Sequence, residues 1–122
     1  MTFDVLLVDE DENVLDIVQT FLEQEDDLAV TSESDPETAL EMALGDGYDV
    51  VVSDYKMPRL TGVELCTELR DRDRELPFLL FSAREPEEMQ PKAGEAGVTA
   101  IVQKGTGTEQ YSDLAERIRT AV

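Results

Sequence analysis

The 122 residues include no histidine, so no chemistry that needs an imidazole can be carried by this chain. That excludes serine and cysteine triads, the usual zinc sites and a phosphohistidine carrier role. The single cysteine, Cys66, excludes an intrachain disulfide, a CxxC redox pair and a cysteine-ligated cluster, and nothing argues for an oxidising compartment. Long apolar runs are also missing: none reaches the roughly 18 residues of a membrane span, and MTFDVLLVDEDE at the start lacks the basic region of a signal peptide. A cytoplasmic protein with no membrane insertion is expected. Cations are scarce, three Lys and seven Arg against 29 Asp and Glu, for a net charge of −19. Such a surface repels a polyanion, which speaks against direct nucleic-acid binding.

The same charge repels itself at low salt. A halophilic host, whose cytoplasmic salt screens charge over about 3 Å near 1 M, is the expected setting, and the fold is then expected to weaken on dialysis into low salt. With 41% hydrophobic residues the chain can bury one core without staples, and it shows no repeat, linker or low-complexity tract. One domain over residues 1–122 is expected.

Five short apolar runs recur at regular spacing: Phe3–Val8, Leu28–Thr31, Val50–Ser53, Phe78–Ser82 and Thr99–Val102. The first beyond Asp4, and the third and fourth up to their closing serines, are continuously apolar, which suits strands buried on both faces of a parallel sheet. Helical patterns separate them. Val14, Leu15, Val18, Phe21 and Leu22 form one stripe, and Asp35-Pro36 opens a second helix carrying Ala39, Leu40, Ala43 and Leu44. Thr61 and Glu64 stand at capping-box spacing ahead of Leu65, Cys66 and Leu69, while Tyr111, Leu114, Ala115 and Ile118 mark the last helix. The segment Glu85–Ala96 holds Pro86, Pro91 and Gly94, so a short, marginal or broken helix is expected there. Strands alternating with helices imply right-handed crossovers and an α/β, doubly wound parallel sheet with helices on both faces. For five strands the flavodoxin-like order 2-1-3-4-5 follows, with ligands outside the carboxyl ends of strands 1 and 3.

At those ends stand Asp9-Glu10-Asp11, Asp54, Ser82 and Lys104. Singly each has a plain explanation: carboxylates complementing a helix N-terminus, an Asx turn, a solvated lysine. Together they place three or four carboxyl groups in one crevice, where like charges raise one another's pKa unless a cation is bound. A hard divalent ion such as Mg²⁺ suits such oxygen ligands. The set fits phosphoryl transfer onto a carboxylate, with Asp54 as nucleophile, Asp9 and Glu10 holding the ion, and Ser82 and Lys104 binding the non-transferred phosphoryl oxygens.

Through LLVDED, VVSDYKMPRLTG, LLFSA and IVQK, spaced along the whole chain, the sequence resembles a response-regulator receiver domain of two-component signalling. The resemblance implies that Asp54 accepts a phosphoryl group from a histidine kinase or phosphotransfer partner. It implies Mg²⁺ held by Asp9, Glu10, Asp54 and the backbone carbonyl of Lys56, with Ser82 and Lys104 contacting the phosphoryl group. Met57, Pro58 and Gly62 match the family's turn after the acceptor. QKGTGTEQYSDLAERI is similar to receiver segments joined to sensor-kinase modules in haloarchaea. A receiver promotes only its own phosphorylation and dephosphorylation, so an enzyme turning over a separate substrate is not expected.

Three positions depart from the family pattern. Glu10 replaces the usual second Asp, so it must reach with a longer side chain or leave Asp11 to help. Gly105 replaces a Pro whose preceding bond is typically cis, and since a non-proline cis bond costs about 2.5–4 kcal/mol, a trans Lys104-Gly105 link and a looser loop are expected. Ile101 replaces the family's aromatic switch, so the last two helices are expected to signal through backbone and loop order. Lys56, Arg59, Arg84 and Lys104 all follow strand ends; they either neutralise the acidic crevice or act on it. By family analogy Lys56 and Arg84 lie where side chains tune the phosphoaspartate's lifetime.

Other readings fit less well. A flavin-binding flavodoxin needs a hydroxyl- and glycine-rich loop after strand 1, where Asp9-Glu10-Asp11 would repel phosphate. A haloacid-dehalogenase-type phosphatase wants Asp at position 56, which is Lys, and GxxxxGK[ST] is missing. The rival from another class is a receiver-like interaction module working without phosphorylation. Its mark would be loss of the acceptor, the lysine or the hydroxyl, and all three are present.

Overall fold

A computed structural model describes residues 2–45, 47–72, 74–105 and 107–122. Its elements run β1 (Phe3–Val8), α1 (Glu12–Leu22), β2 (Leu28–Glu33), α2 (Pro36–Leu44), β3 (Val50–Ser53), α3 (Gly62–Asp71), β4 (Phe78–Ser82), α4 (Pro86–Ala96), β5 (Ala100–Gln103) and α5 (Glu109–Ala121). The strands are all parallel in the order β2-β1-β3-β4-β5. This is the flavodoxin-like, doubly wound arrangement expected, with the topological switch point between β1 and β3.

The continuous apolar runs in β1, β3 and β4 are explained by the two layers of helix. Successive side chains of a strand point to opposite faces. Val5, Leu7, Val50, Val52, Leu79 and Phe81 pack with α1 and α5, whereas Leu6, Val8, Val51, Phe78 and Leu80 pack with α2, α3 and α4. Burying each such side chain contributes roughly 1.5–3 kcal/mol. On the first face Phe21 of α1 and Tyr111 of α5 stack at 4.4 Å, and Arg119 binds Asp27 and Glu25 at 2.7 Å each. The Arg119 hydrogen bond holds the Asp27 carboxyl below its ordinary range.

The α4 segment corrects the expectation of a short, marginal or broken helix. It runs unbroken for 11 residues despite Pro91. Pro86 occupies the first turn, where its missing N–H has no partner to lose. Pro91 and Glu87 both lie on the exposed side, so the carbonyl that Pro91 cannot bond faces solvent. The opposite side buries Met89, Ala93 and Ala96 at i, i+4 and i+7, and Gly97 closes the helix in the left-handed region at φ 85°. Tertiary packing outweighs local propensity here.

Cys66 of α3 is fully buried, with its thiol 3.4 Å from the Ala96 carbonyl oxygen. Burial pushes this thiol up to about 11. Because the thiolate is the reactive form, Cys66 in the folded protein is expected to resist alkylation at mildly alkaline pH and to react at once in denaturant. Comparable labelling with and without denaturant, followed by mass, would contradict this burial. Among the described residues no helix is long and apolar enough to cross a membrane.

Candidate phosphoacceptor site

Asp9 and Asp54 come together because β1 and β3 are neighbours with Val8 opposite Ser53, and the Asp54 N–H donates to the Val8 carbonyl at 2.9 Å. Lys104 arrives from the far edge. Its N–H donates to the Ser82 carbonyl at 2.7 Å, continuing the β4–β5 ladder one residue beyond the strands. Its ammonium then lies 3.1 Å from Asp9 Oδ2 and 3.8 Å from Asp54 Oδ1, and 5.5 Å from the centre of the Phe81 ring. One cation therefore serves two carboxylates.

Asp9 is 5% exposed, and its other oxygen accepts the Asp11 N–H at 3.0 Å. Asp54 Oδ1 also accepts the Tyr55 N–H at 2.8 Å, leaving Oδ2 without a hydrogen bond among the described residues. Burial is the main force on the Asp54 carboxyl and raises its pKa above the ordinary value. Lys104 and the Tyr55 N–H pull it down, while Asp9 and Glu10 push it further up. Ser82 is buried at the end of β4, and its hydroxyl oxygen accepts the Arg84 N–H at 3.3 Å.

The acceptor loop is closed by a close approach. The Gly62 N–H donates to the Tyr55 carbonyl at 2.7 Å. A Cβ on Gly62 would overlap the Asp54 carbonyl oxygen and lie 2.7 Å from Leu80 Cδ2. Directly before it, Thr61 and Glu64 form the capping box expected from their spacing.

The charged residues of the crevice divide their roles. Asp9 and Asp54 share Lys104, and Glu10 adds its charge to the field at Asp54. Asp11, a candidate helper for Glu10, instead caps α1, with its Oδ1 accepting the N–H groups of Asn13 and Val14, and Glu10 is exposed at the rim. Four cations do not neutralise the acids. Only Lys104 reaches them; Lys56 is exposed, Arg59 pairs with Asp35 and Glu37, and Arg84 lies 5.4 Å from the Tyr55 ring and 3.7 Å from Glu88. The donor set fits a hard cation, because Asp9 and Asp54 bring carboxylate oxygens to one Lys104 ammonium and Asp54 Oδ2 accepts no hydrogen bond among the described residues.

Ile101 is half-buried against the α3 and α4 side of the core, and all described peptide bonds are trans, Lys104-Gly105 included. Tyr55 belongs to the site through its backbone, which no residue type in the sequence marks. The signal available was its place beside Asp54, because a backbone N–H next to a buried carboxylate is a natural donor to it.

Comparison with known proteins gives matches over most of the chain. The profile of the response regulator receiver domain matches residues 5–118. The chain is 34% identical to the alkaline phosphatase synthesis transcriptional regulatory protein PhoP of Bacillus subtilis, over 68% of the chain and 34% of that protein. It is 33% identical to the response regulator MprA of Mycobacterium leprae, over 94% of the chain and 49% of that protein. The chain thus spans half or less of the length of these curated relatives. Among solved structures, the Francisella response regulator 1452 receiver domain superposes with a TM-score of 0.86 at 25% identity, covering 98% of this chain and 96% of that one. The Thermotoga maritima protein TrrA, solved in complex with Mg²⁺ and BeF, superposes with a TM-score of 0.85 at 21% identity, covering 99% of this chain and all of that one.

Proposed function

The chain belongs to the response regulator receiver domain family, and from that premise we propose that Asp54 takes a phosphoryl group from a histidine kinase or phosphotransfer protein. The observation that carries this reading is the ammonium of Lys104 shared between Asp9 and Asp54 at the carboxyl ends of the strands. Oδ2 of Asp54 is the oxygen free to attack. The P–N bond to the donor imidazole breaks as the P–O bond to Oδ2 forms, and the imidazole leaves with the bonding pair. Burial keeps the attacking carboxylate more basic than an ordinary Asp, which favours nucleophilic attack. Lys104 and the Ser82 hydroxyl are read as meeting the charge that gathers on the phosphoryl oxygens.

Asp9, Glu10, Asp54 and the main-chain carbonyl of Lys56 are the groups that would hold Mg²⁺ or another divalent ion. When bound, such an ion supplies neutralisation of phosphoryl charge. Receiver domains are regulators. This one is read as changing conformation to control a partner or an attached output domain, with order in the loops beside α4 standing in for the aromatic turn that Ile101 cannot make. Lys56 and Arg84 are read as side chains that tune how long the phosphoryl group stays. An interaction module that never takes phosphate is the competing reading.

The chemistry of the product is the test. After incubation with acetyl phosphate and Mg²⁺, hydroxylamine is expected to displace the phosphate and leave a hydroxamate at position 54, read by peptide mass. A phosphoryl group that survives hydroxylamine would be an ester on Ser, Thr or Tyr, contrary to this assignment.

A further inference from the structure

We propose that Arg59 is a positioning residue that straps the tip of the acceptor loop to the first turn of α2; the inference rests on the reading of Asp54 as phosphoacceptor. Arg59 is the one non-glycine residue with positive φ among those described, at 70°. A left-handed arginine is uncommon, and it persists only where the surroundings over-determine it. Glycine would take this conformation freely. The presence of a long side chain there calls for a reason beyond the turn itself.

The constraints are visible on both sides of the residue. Two positions earlier Met57 is buried, with its sulfur 3.9 Å from the Ser53 hydroxyl, so one side of the tip is sunk under the sheet end. Arg59 holds the other side: Nη2 is 2.5 Å from Asp35 Oδ1, and Nε is 3.5 Å from Glu37 Oε1. Asp35 is the N-cap of α2, and the Glu37 and Thr38 amides face its carboxylate without closing a well-formed capping bond. It accepts the Thr38 hydroxyl at 2.7 Å and the Arg59 guanidinium instead. The carboxylate at the start of α2 thus ties α2, through Thr38, to the loop that carries the acceptor, through Arg59.

That loop orients Asp54, because the Tyr55 N–H donates to Asp54 Oδ1 and the Tyr55 carbonyl accepts the Gly62 N–H. The ion pair is exposed, and exposed pairs contribute little to folding. Its effect therefore falls on where the loop sits more than on whether the chain folds.

Phosphoryl gain from acetyl phosphate with Mg²⁺, followed by intact mass, is compared in four forms of the full chain, each with its thermal midpoint. In Arg59→Gly the backbone is relieved and the strap is lost, so the midpoint is expected to hold while the rate falls roughly three- to tenfold. Arg59→Lys keeps the pair and is expected to keep most of the rate. The double variant Asp35→Asn, Glu37→Gln separates positioning from simple charge. It carries two fewer negative charges, so electrostatic attraction of an anionic donor would speed it, whereas loss of the strap slows it. A double-variant rate at or above that of the unmutated chain, or an unchanged Arg59→Gly rate, overturns the proposal. No phosphoryl gain in the unmutated chain would instead overturn the acceptor reading itself, and the mass of that sample alone identifies this outcome.

Discussion

Replacing Lys104 with Met is expected to leave the chain folded but weakened, with phosphoryl gain at Asp54 reduced by more than about tenfold. The substitution removes the one ammonium that faces two carboxylates, at 3.1 Å from Asp9 and 3.8 Å from Asp54. Removing one partner of a buried pair costs roughly 3–5 kcal/mol, and the partial exposure of Lys104 places the loss at the low end. Its pH dependence has a definite sign. The folded-state pKa of Asp54 is raised, mainly by burial, so the ionised carboxylate penalises the fold at neutral pH. That penalty is relieved as pH falls through the folded value and is gone below the ordinary value of 3.8. Without Lys104 the folded value rises further and the penalty grows. Denaturant melts should therefore show the gap between Lys104→Met and the unmutated chain narrowing from neutral pH toward about pH 4. Asp27 and Asp35, whose pKa values are lowered, work in the opposite sense and lose their contribution in more acid solution. A gap independent of pH would show that Lys104 does not act on these carboxylates.

Gly62→Ala is expected to destabilise the chain by about 2–3 kcal/mol and to impair phosphoryl gain as well. Position 62 opens α3, where alanine normally stabilises a helix by roughly 0.5–1 kcal/mol relative to glycine. The local preference and the tertiary contact thus predict opposite signs. The contact wins because the new methyl group meets the Asp54 carbonyl oxygen, a backbone atom that also accepts the Ser53 hydroxyl at 2.8 Å, together with Leu80 Cδ2 at 2.7 Å. Relief requires the acceptor's own main chain to move. A thermal midpoint at or above that of the unmutated chain would contradict the close approach.

Much of this architecture is written in one-dimensional patterns. The doubly buried strands announce themselves as unbroken runs of Val, Leu and Phe, and the parallel order brings Asp9 and Asp54 to one crevice as the alternation of elements implies. The α4 helix was harder to read because its proline and glycine content opposes what Met89, Ala93 and Ala96 achieve by packing on α3. Division of labour among similar residues is invisible in sequence. Asp9, Glu10 and Asp11 look alike as a triplet, yet one binds Lys104, one lies exposed and one caps α1. The four cations after strand ends likewise separate only in three dimensions, with Lys104 alone at the carboxylates and Arg59 committed to α2.

Whether Asp54 accepts a phosphoryl group is decided by intact-protein mass after incubation with acetyl phosphate in high salt. The unmutated chain with Mg²⁺ is predicted to gain the mass of one phosphoryl group, while Asp54→Asn and a metal-free control gain none. A folded, Mg²⁺-binding sample that gains nothing, or an Asp54→Asn variant that gains as much as the unmutated chain, would contradict the account.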